Sequence, residues 1–148
     1  MGLQKTADQG QLWCRLCHLQ HSFRNYQENL VSEVKVFKPA DVEQKYNDRG
    51  TSWHEFVNEK DNSPLASGIT YLRDSDFEWT LWYDEMMICI DPGQLLEVTV
   101  DGRAYSLARG ESIWLPKGTV ARYRSVRLAL MYYAISPSDW RNDTRYAR

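Results

Sequence analysis

The stretch Gly110-Glu-Ser-Ile-Trp-Leu-Pro116-Lys-Gly118 constrains the fold more than any other part of this chain. Residues 112–115 have room only for a short strand, and the Pro-x-Gly that follows ends it in a turn. The same rhythm governs the sequence from residue 65 onward. Strand-like runs at 65–72, 79–90, 95–100, 105–107, 122–123 and 128–135 alternate with turn residues. Asp91-Pro92-Gly93 and Asp101-Gly102 read as hairpin turns. Many short strands with little helix between them indicate an all-β sandwich or barrel.

Upstream the pattern is less regular. Val34-Lys-Val-Phe37 alternates like a strand, and Lys38-Pro39-Ala40-Asp41 opens a short helix with proline in its first turn. Asn47-Asp48-Arg49-Gly50 is a turn cluster, and residues 53–57 read as extended. Residues 1–33 form a leader without strand pattern, in which Leu12, Leu16, Leu19 and Phe23 recur at helical spacing. The expected organisation is therefore a leader (1–33) with a short helical extension, one barrel (34–141) and a polar tail (142–148). Trp140 is the apolar residue expected to fold back onto the barrel.

Composition narrows the function. A chain of 148 residues suits one domain with a real core. Its net charge of −2, with 18 basic and 20 acidic residues intermixed, argues against nucleic acid as a partner. No apolar run approaches the roughly 20 residues that span a membrane, and no secretory signal opens the chain. Three cysteines without disulfide-type spacing fit a reducing compartment, so a cytoplasmic location is expected.

Two motifs together point to a family. The Gly110-to-Gly118 stretch has the spacing of the second cupin motif, in which a metal-binding histidine follows three residues after the last glycine; here that residue is Ala121. Upstream, Trp79-Thr-Leu-Trp-Tyr83-Asp84-Glu85 resembles the first cupin motif, with Glu85 in the glutamate place and Trp79 and Leu81 near the two histidine places. With Leu96-Glu-Val-x-Val-Asp-Gly102 and the closing Asp139-Trp140, residues 65–140 resemble the cupin domain of the ethanolamine-utilisation EutQ family. The resemblance implies a small RmlC-like jelly-roll β-barrel, a homodimer, and a pocket without the usual metal ligands. It also allows acetate kinase-type phosphoryl transfer, in which Glu85, joined by Glu97 if the register turns it inward, would hold a divalent cation for ATP.

Strand alternation gives the pocket its chemistry. Residues sharing parity with Glu85 are Trp79, Leu81, Tyr83 and Met87; on the later strand Tyr123 and Ser125 share the face of Ala121, and Arg122 and Arg124 point outward. Trp79, Tyr83, Glu85, Tyr123 and Glu97 are the candidate ligand-binding residues, and Glu85 with Tyr83 the candidate catalytic pair. Enclosure by aromatics should raise the Glu85 pKa, making it a general acid or base; alternatively, a phenol hydrogen bond from Tyr83 or Tyr123 merely pins it. Glu97 faces the pocket or the opposite side, depending on register. Trp82 and Asp84 fall on the outer face, where Trp82 could support a dimer contact. Lys117 sits at the rim and His54 reads as structural.

No transition metal is expected in the pocket, because a stable zinc site needs three or four ligands. Cys14-x-x-Cys17-His18-x-x-His21 in the leader resembles a metal or haem motif, but on a helix these residues spread over about 10 Å and cannot all converge on one ion. The leader reads alternatively as a docking peptide of the kind seen in microcompartment-associated proteins, or as a segment upstream of a start at Val34. Three functions follow: binding of a small polar metabolite of amine or carboxylate metabolism without a cofactor, phosphoryl transfer with ATP and a divalent cation, or a non-catalytic accessory role.

Overall fold

Buried and exposed positions alternate along the strands at 84–91, 120–126 and 128–136, so each offers one face to a core and turns the other outward. Two sheets packed on their apolar faces satisfy that pattern. The computed structural model describes residues 34–143, which form ten strands and three 3-10 turns. The leader, with its expected helix and its cysteine–histidine cluster, lies outside the described residues, as does most of the tail.

The strands are β1 (Gln44–Tyr46), β2 (Thr51–Val57), β3 (Ala66–Arg73), β4 (Asp76–Thr80), β5 (Asp84–Asp91), β6 (Leu95–Val100), β7 (Arg103–Ser106), β8 (Ser112–Leu115), β9 (Val120–Val126) and β10 (Leu128–Ser136). A six-stranded sheet has the order β1-β2-β3-β10-β5-β8, and a four-stranded sheet has the order β4-β9-β6-β7. Neighbouring strands pair antiparallel throughout. Leu72, Met87, Met131 and Ile135 from the larger sheet meet Leu96, Val98, Ala121 and Tyr123 from the smaller one in a shared core.

Three local expectations need correction. The run at 79–90 is two strands in different sheets, broken at Leu81-Trp82-Tyr83. Leu81 instead exchanges backbone hydrogen bonds with the turn after β8: its N–H donates to the Thr119 carbonyl (2.9 Å), and its carbonyl accepts from the Gly118 N–H (2.8 Å). Asp91-Pro92-Gly93 is likewise a crossing between sheets rather than a hairpin, because β5 and β6 do not pair. Periodicity cannot distinguish a sheet change from a hairpin, since both need the same turn residues. Val34-Lys-Val-Phe37 forms no strand; Val34 and Val36 are exposed, and the segment has no ladder partner among the described residues.

Other local expectations agree with the described residues. Asp101-Gly102 is a two-residue hairpin between β6 and β7, with both residues in the left-handed region. Pro39–Asp41 is a 3-10 turn. His54 lies buried on the far face of β2, its Nδ1 2.9 Å from the Val42 carbonyl and its ring edge-on to Tyr71, which is a structural role. No helix among the described residues is long and apolar enough to cross a membrane.

Register delivers the interior side chains. Gly68 of β3 faces Glu55 on β2 and Tyr133 on β10, next to a bulge between Glu55 and Val57. A Cβ at Gly68 would run into the His54 carbonyl and stand 2.8 Å from the Tyr133 hydroxyl. Gly68→Ala should therefore lower stability by about 1–3 kcal/mol, measured by urea denaturation.

Candidate functional site

Between the sheets lies a cavity of about 160 Å³. β2 contributes Thr51, Trp53 and Glu55; β3 contributes Thr70 and Leu72; β4 contributes Phe77 and Trp79. Tyr83, Glu85 and Met87 enter from β5 and the residues just before it, Tyr123 from β9, and Tyr133 and Ile135 from β10. Trp140 and Arg141, on a 3-10 turn after the last strand, complete the wall.

Glu85 projects inward because β5 alternates buried odd with exposed even positions. It is only 6% exposed, and its Oε2 accepts a hydrogen bond from the Tyr123 hydroxyl at 3.2 Å. Burial pushes its pKa up to about 7, against the opposing pull of the Tyr123 hydrogen bond. The Tyr83 hydroxyl accepts from the Trp79 indole at 3.1 Å, and its ring packs edge-on to Trp140 at 4.7 Å. Phe77 stacks on Tyr123 at 5.4 Å. Burial, and then the Glu85 charge, push the Tyr83 and Tyr123 phenols well above their ordinary value. Burial does the same for Tyr133. All three stay protonated at neutral pH, and the Tyr123 hydroxyl donates its proton to the hydrogen bond with Glu85.

A second carboxylate enters the cavity in a different state. Glu55 is buried, but its Oε2 accepts from Arg141 Nη2 at 2.6 Å, and its Oε1 from Lys45 Nζ at 3.3 Å and Asn58 Nδ2 at 3.2 Å. Burial alone would raise its pKa; the Arg141 hydrogen bond and the charges of Arg141 and Lys45 outweigh that and hold it below the usual value. Two buried acids thus occupy one barrel, one neutralised by cations and one not.

Trp79, Tyr83, Glu85 and Tyr123 all line the cavity, but Trp79 reaches it from the opposite sheet rather than along the strand of Glu85. Glu97 does not join them. Its neighbours Leu96 and Val98 are the buried residues of β6, so Glu97 lies on the opposite face, across from Arg124 and Ser106. Trp82 also departs from expectation: it is partly buried against the core, because the chain is changing sheets there, and Met86, Ile88 and Trp114 are the exposed apolar residues instead. Asp84 is exposed and caps the Lys117 N–H at 2.8 Å; Lys117 Nζ lies 3.6 Å from Asp143. Arg122 points outward into a two-point pair with Asp76 (2.6 and 2.8 Å), and Ser125 points inward, accepting from the Ser75 N–H.

At the places where a cupin's histidines would stand, Trp79 lines the cavity and Leu81 and Ala121 are fully buried. Among the described residues no three His, Cys, Asp or Glu side chains gather where a metal could be held. Sequence reasoning missed Glu55, Tyr133 and Arg141. Tyr133 was detectable, since it shares parity with Met131 and Ile135. The Glu55–Arg141 pair spans 86 positions and carried no local signal.

Two antiparallel sheets enclosing such a cavity, with the Pro-x-Gly turn after β8, define an RmlC-like cupin. A cupin of that kind from Shewanella frigidimarina superposes with a TM-score of 0.57 at 13% identity, over 72% of this chain and 95% of the other. The chain belongs to the EutQ family: the family model described as ethanolamine utilisation protein EutQ matches residues 23–142. The crystal structure of a putative ethanolamine utilisation protein Q from Salmonella typhimurium aligns with a TM-score of 0.63 at 25% identity, over 71% of this chain and 87% of that one. A Clostridioides difficile protein named acetate kinase EutQ is 36% identical over 76 residues, 51% of this chain and 47% of its own length. The chain spans less than half the length of the curated relatives it matches.

The raised Glu85 pKa has a signed consequence. Between about pH 4.5 and 7 the folded protein retains a proton that the unfolded chain has released, so stability falls as pH rises through that window. The loss is on the order of 3 kcal/mol. Glu85→Gln should remove this slope and be the more stable protein at about pH 8, in paired denaturation curves at about pH 5 and pH 8.

Proposed function

We propose that this EutQ-family cupin binds a small polar metabolite of amine or carboxylate metabolism in its cavity, without a transition metal. The observation that carries the reading is Glu85, a buried carboxylate lining the same pocket as Tyr83, Tyr123 and Trp79. Burying an acid without a cation is costly, and perturbed acids of this kind in a pocket are a mark of functional sites. Size supports a small ligand: about 160 Å³ compares with the roughly 150 Å³ that admits benzene. Glu85 can exchange a proton near neutrality, and Tyr83 and Tyr123 can donate hydrogen bonds to a polar group. Together they would serve a bound substrate as general acid or base and orienting donors.

A second reading follows from the name of the Clostridioides difficile relative, which is an acetate kinase. The cavity has room for an acetate-sized acid, and Glu97, the second carboxylate expected to help hold the divalent cation, lies on the other face. Acetate-dependent ATP turnover that disappears in Glu85→Gln would support this reading. No turnover with magnesium or manganese would remove it.

For the binding reading, purified protein is screened against small polar metabolites by tryptophan fluorescence and thermal shift. A saturating ligand at 100 times its Kd should stabilise the fold by about 2.7 kcal/mol. Glu85→Gln should abolish that shift; a ligand whose effect survives the substitution binds elsewhere. The reading includes a homodimer, with a second copy covering the outer face of the larger sheet. There Trp114 (60% exposed) pairs across from Met86 (43%), beside Ile88. Light scattering should show a dimer that Trp114→Glu converts to monomer.

A further inference from the structure

We infer that the ligand of this cavity carries a compact organic ammonium group, which docks on Glu85 within the tyrosine wall around it. The inference rests on the small-metabolite reading and specifies its chemistry.

Charge is the first argument. Among the described residues, the Glu85 carboxylate accepts one hydrogen bond, from Tyr123 to Oε2, and pairs with no lysine or arginine. Glu55, the other buried acid of the cavity, has two cations and an amide on its oxygens. The barrel therefore neutralises one interior carboxylate from its own side chains and leaves the other open. A cation brought by a ligand would complete Glu85 as Arg141 completes Glu55.

The walls give the second argument. Aromatic faces attract cations, and this barrel already uses them that way. Arg49 lies over the rings of Phe77 and Trp79 at 5.9 and 5.7 Å, and Arg141 lies over Trp140 at 4.4 Å. Tyr83, Tyr123 and Tyr133 carry no such partner from the described residues, and all three feel the Glu85 charge. A carboxylate beside three phenols makes the setting in which an alkylammonium loses least on leaving water.

An anionic ligand fits less well. Arg141 is the cation in the lining, and its guanidinium is held by Glu55 at 2.6 Å. The other charged or titratable groups around Glu85 are Glu55, across the cavity on β2, and the phenols of Tyr83, Tyr123 and Tyr133; β4 and β8 present Trp79 and Leu115. An acid entering here would meet Glu85 with no unpaired cation among the described lining residues to offset it.

The test uses three probes of nearly equal size: n-propylammonium, n-propanol and propionate, titrated by tryptophan fluorescence and calorimetry. Propylammonium should bind at least tenfold more tightly than propanol, and propionate more weakly than either. Glu85→Gln should erase the preference, with its melting curve as the check on folding. A second measurement needs no variant. Binding an ammonium requires the Glu85 carboxylate, so wild-type affinity should rise about tenfold from about pH 6 to about pH 8 as Glu85 ionises. Equal affinity for the three probes, a preference for propionate, or a pH-independent affinity for propylammonium overturns the inference while leaving the small-metabolite reading intact. If no probe binds and the metabolite screen is also blank, both fall.

Discussion

The pairing of β10 with both β3 and β5 is the constraint on which the interior of this barrel depends. β10 is the last of the described strands, yet it occupies the middle of the larger sheet. Its register sets Tyr133 between Gly68 and Met87, and Ile135 between Ala66 and Glu85. A slip of one residue would turn Tyr133 and Ile135 to solvent and bring Tyr132 inside. The small side chains along this seam, Gly68 and Ala66 on β3, leave the depth in which the phenol and the carboxylate reside. The cavity is thus set by contacts far apart in sequence, which only the completed sheet can hold.

Electrostatics gives that cavity its asymmetry. Glu55 and Glu85 are both buried and both belong to the larger sheet, but their environments push their pKa values in opposite directions. The difference comes from Arg141 and Lys45, which reach Glu55 alone. One acid is therefore a permanent anion within a structural cluster, whereas the other changes protonation near neutrality. Pairs of like groups driven apart by their surroundings are a common mark of sites that handle protons or charge.

How far this was legible in the sequence depended on distance along the chain. The alternation that turns Glu85 and Met87 inward, and the turn that follows β8, were readable locally; Trp79 lines the same cavity, but from the opposite sheet and not by the continuous strand the sequence suggested. Errors arose where the chain changes sheets. Turn residues at Asp91-Pro92-Gly93 look the same whether the next strand returns beside the last or crosses to the opposite layer. The break at Leu81-Trp82-Tyr83 carried no proline or glycine, since the interruption is made by tertiary hydrogen bonds to Gly118 and Thr119. Glu97 was ambiguous for a related reason: its face depends on which strands β6 pairs with, and that is not written in β6. The Glu55–Arg141 contact could be seen only once the chain had closed.

The turn at Trp140–Asn142 lies beyond every strand, yet Trp140 and Arg141 form part of the cavity wall. The β-framework is complete at Ser136, while the chamber inside it is not. Scaffold and enclosure are therefore separable in inheritance. Relatives could keep all ten strands and acquire a different guest by altering only the few residues after the last of them.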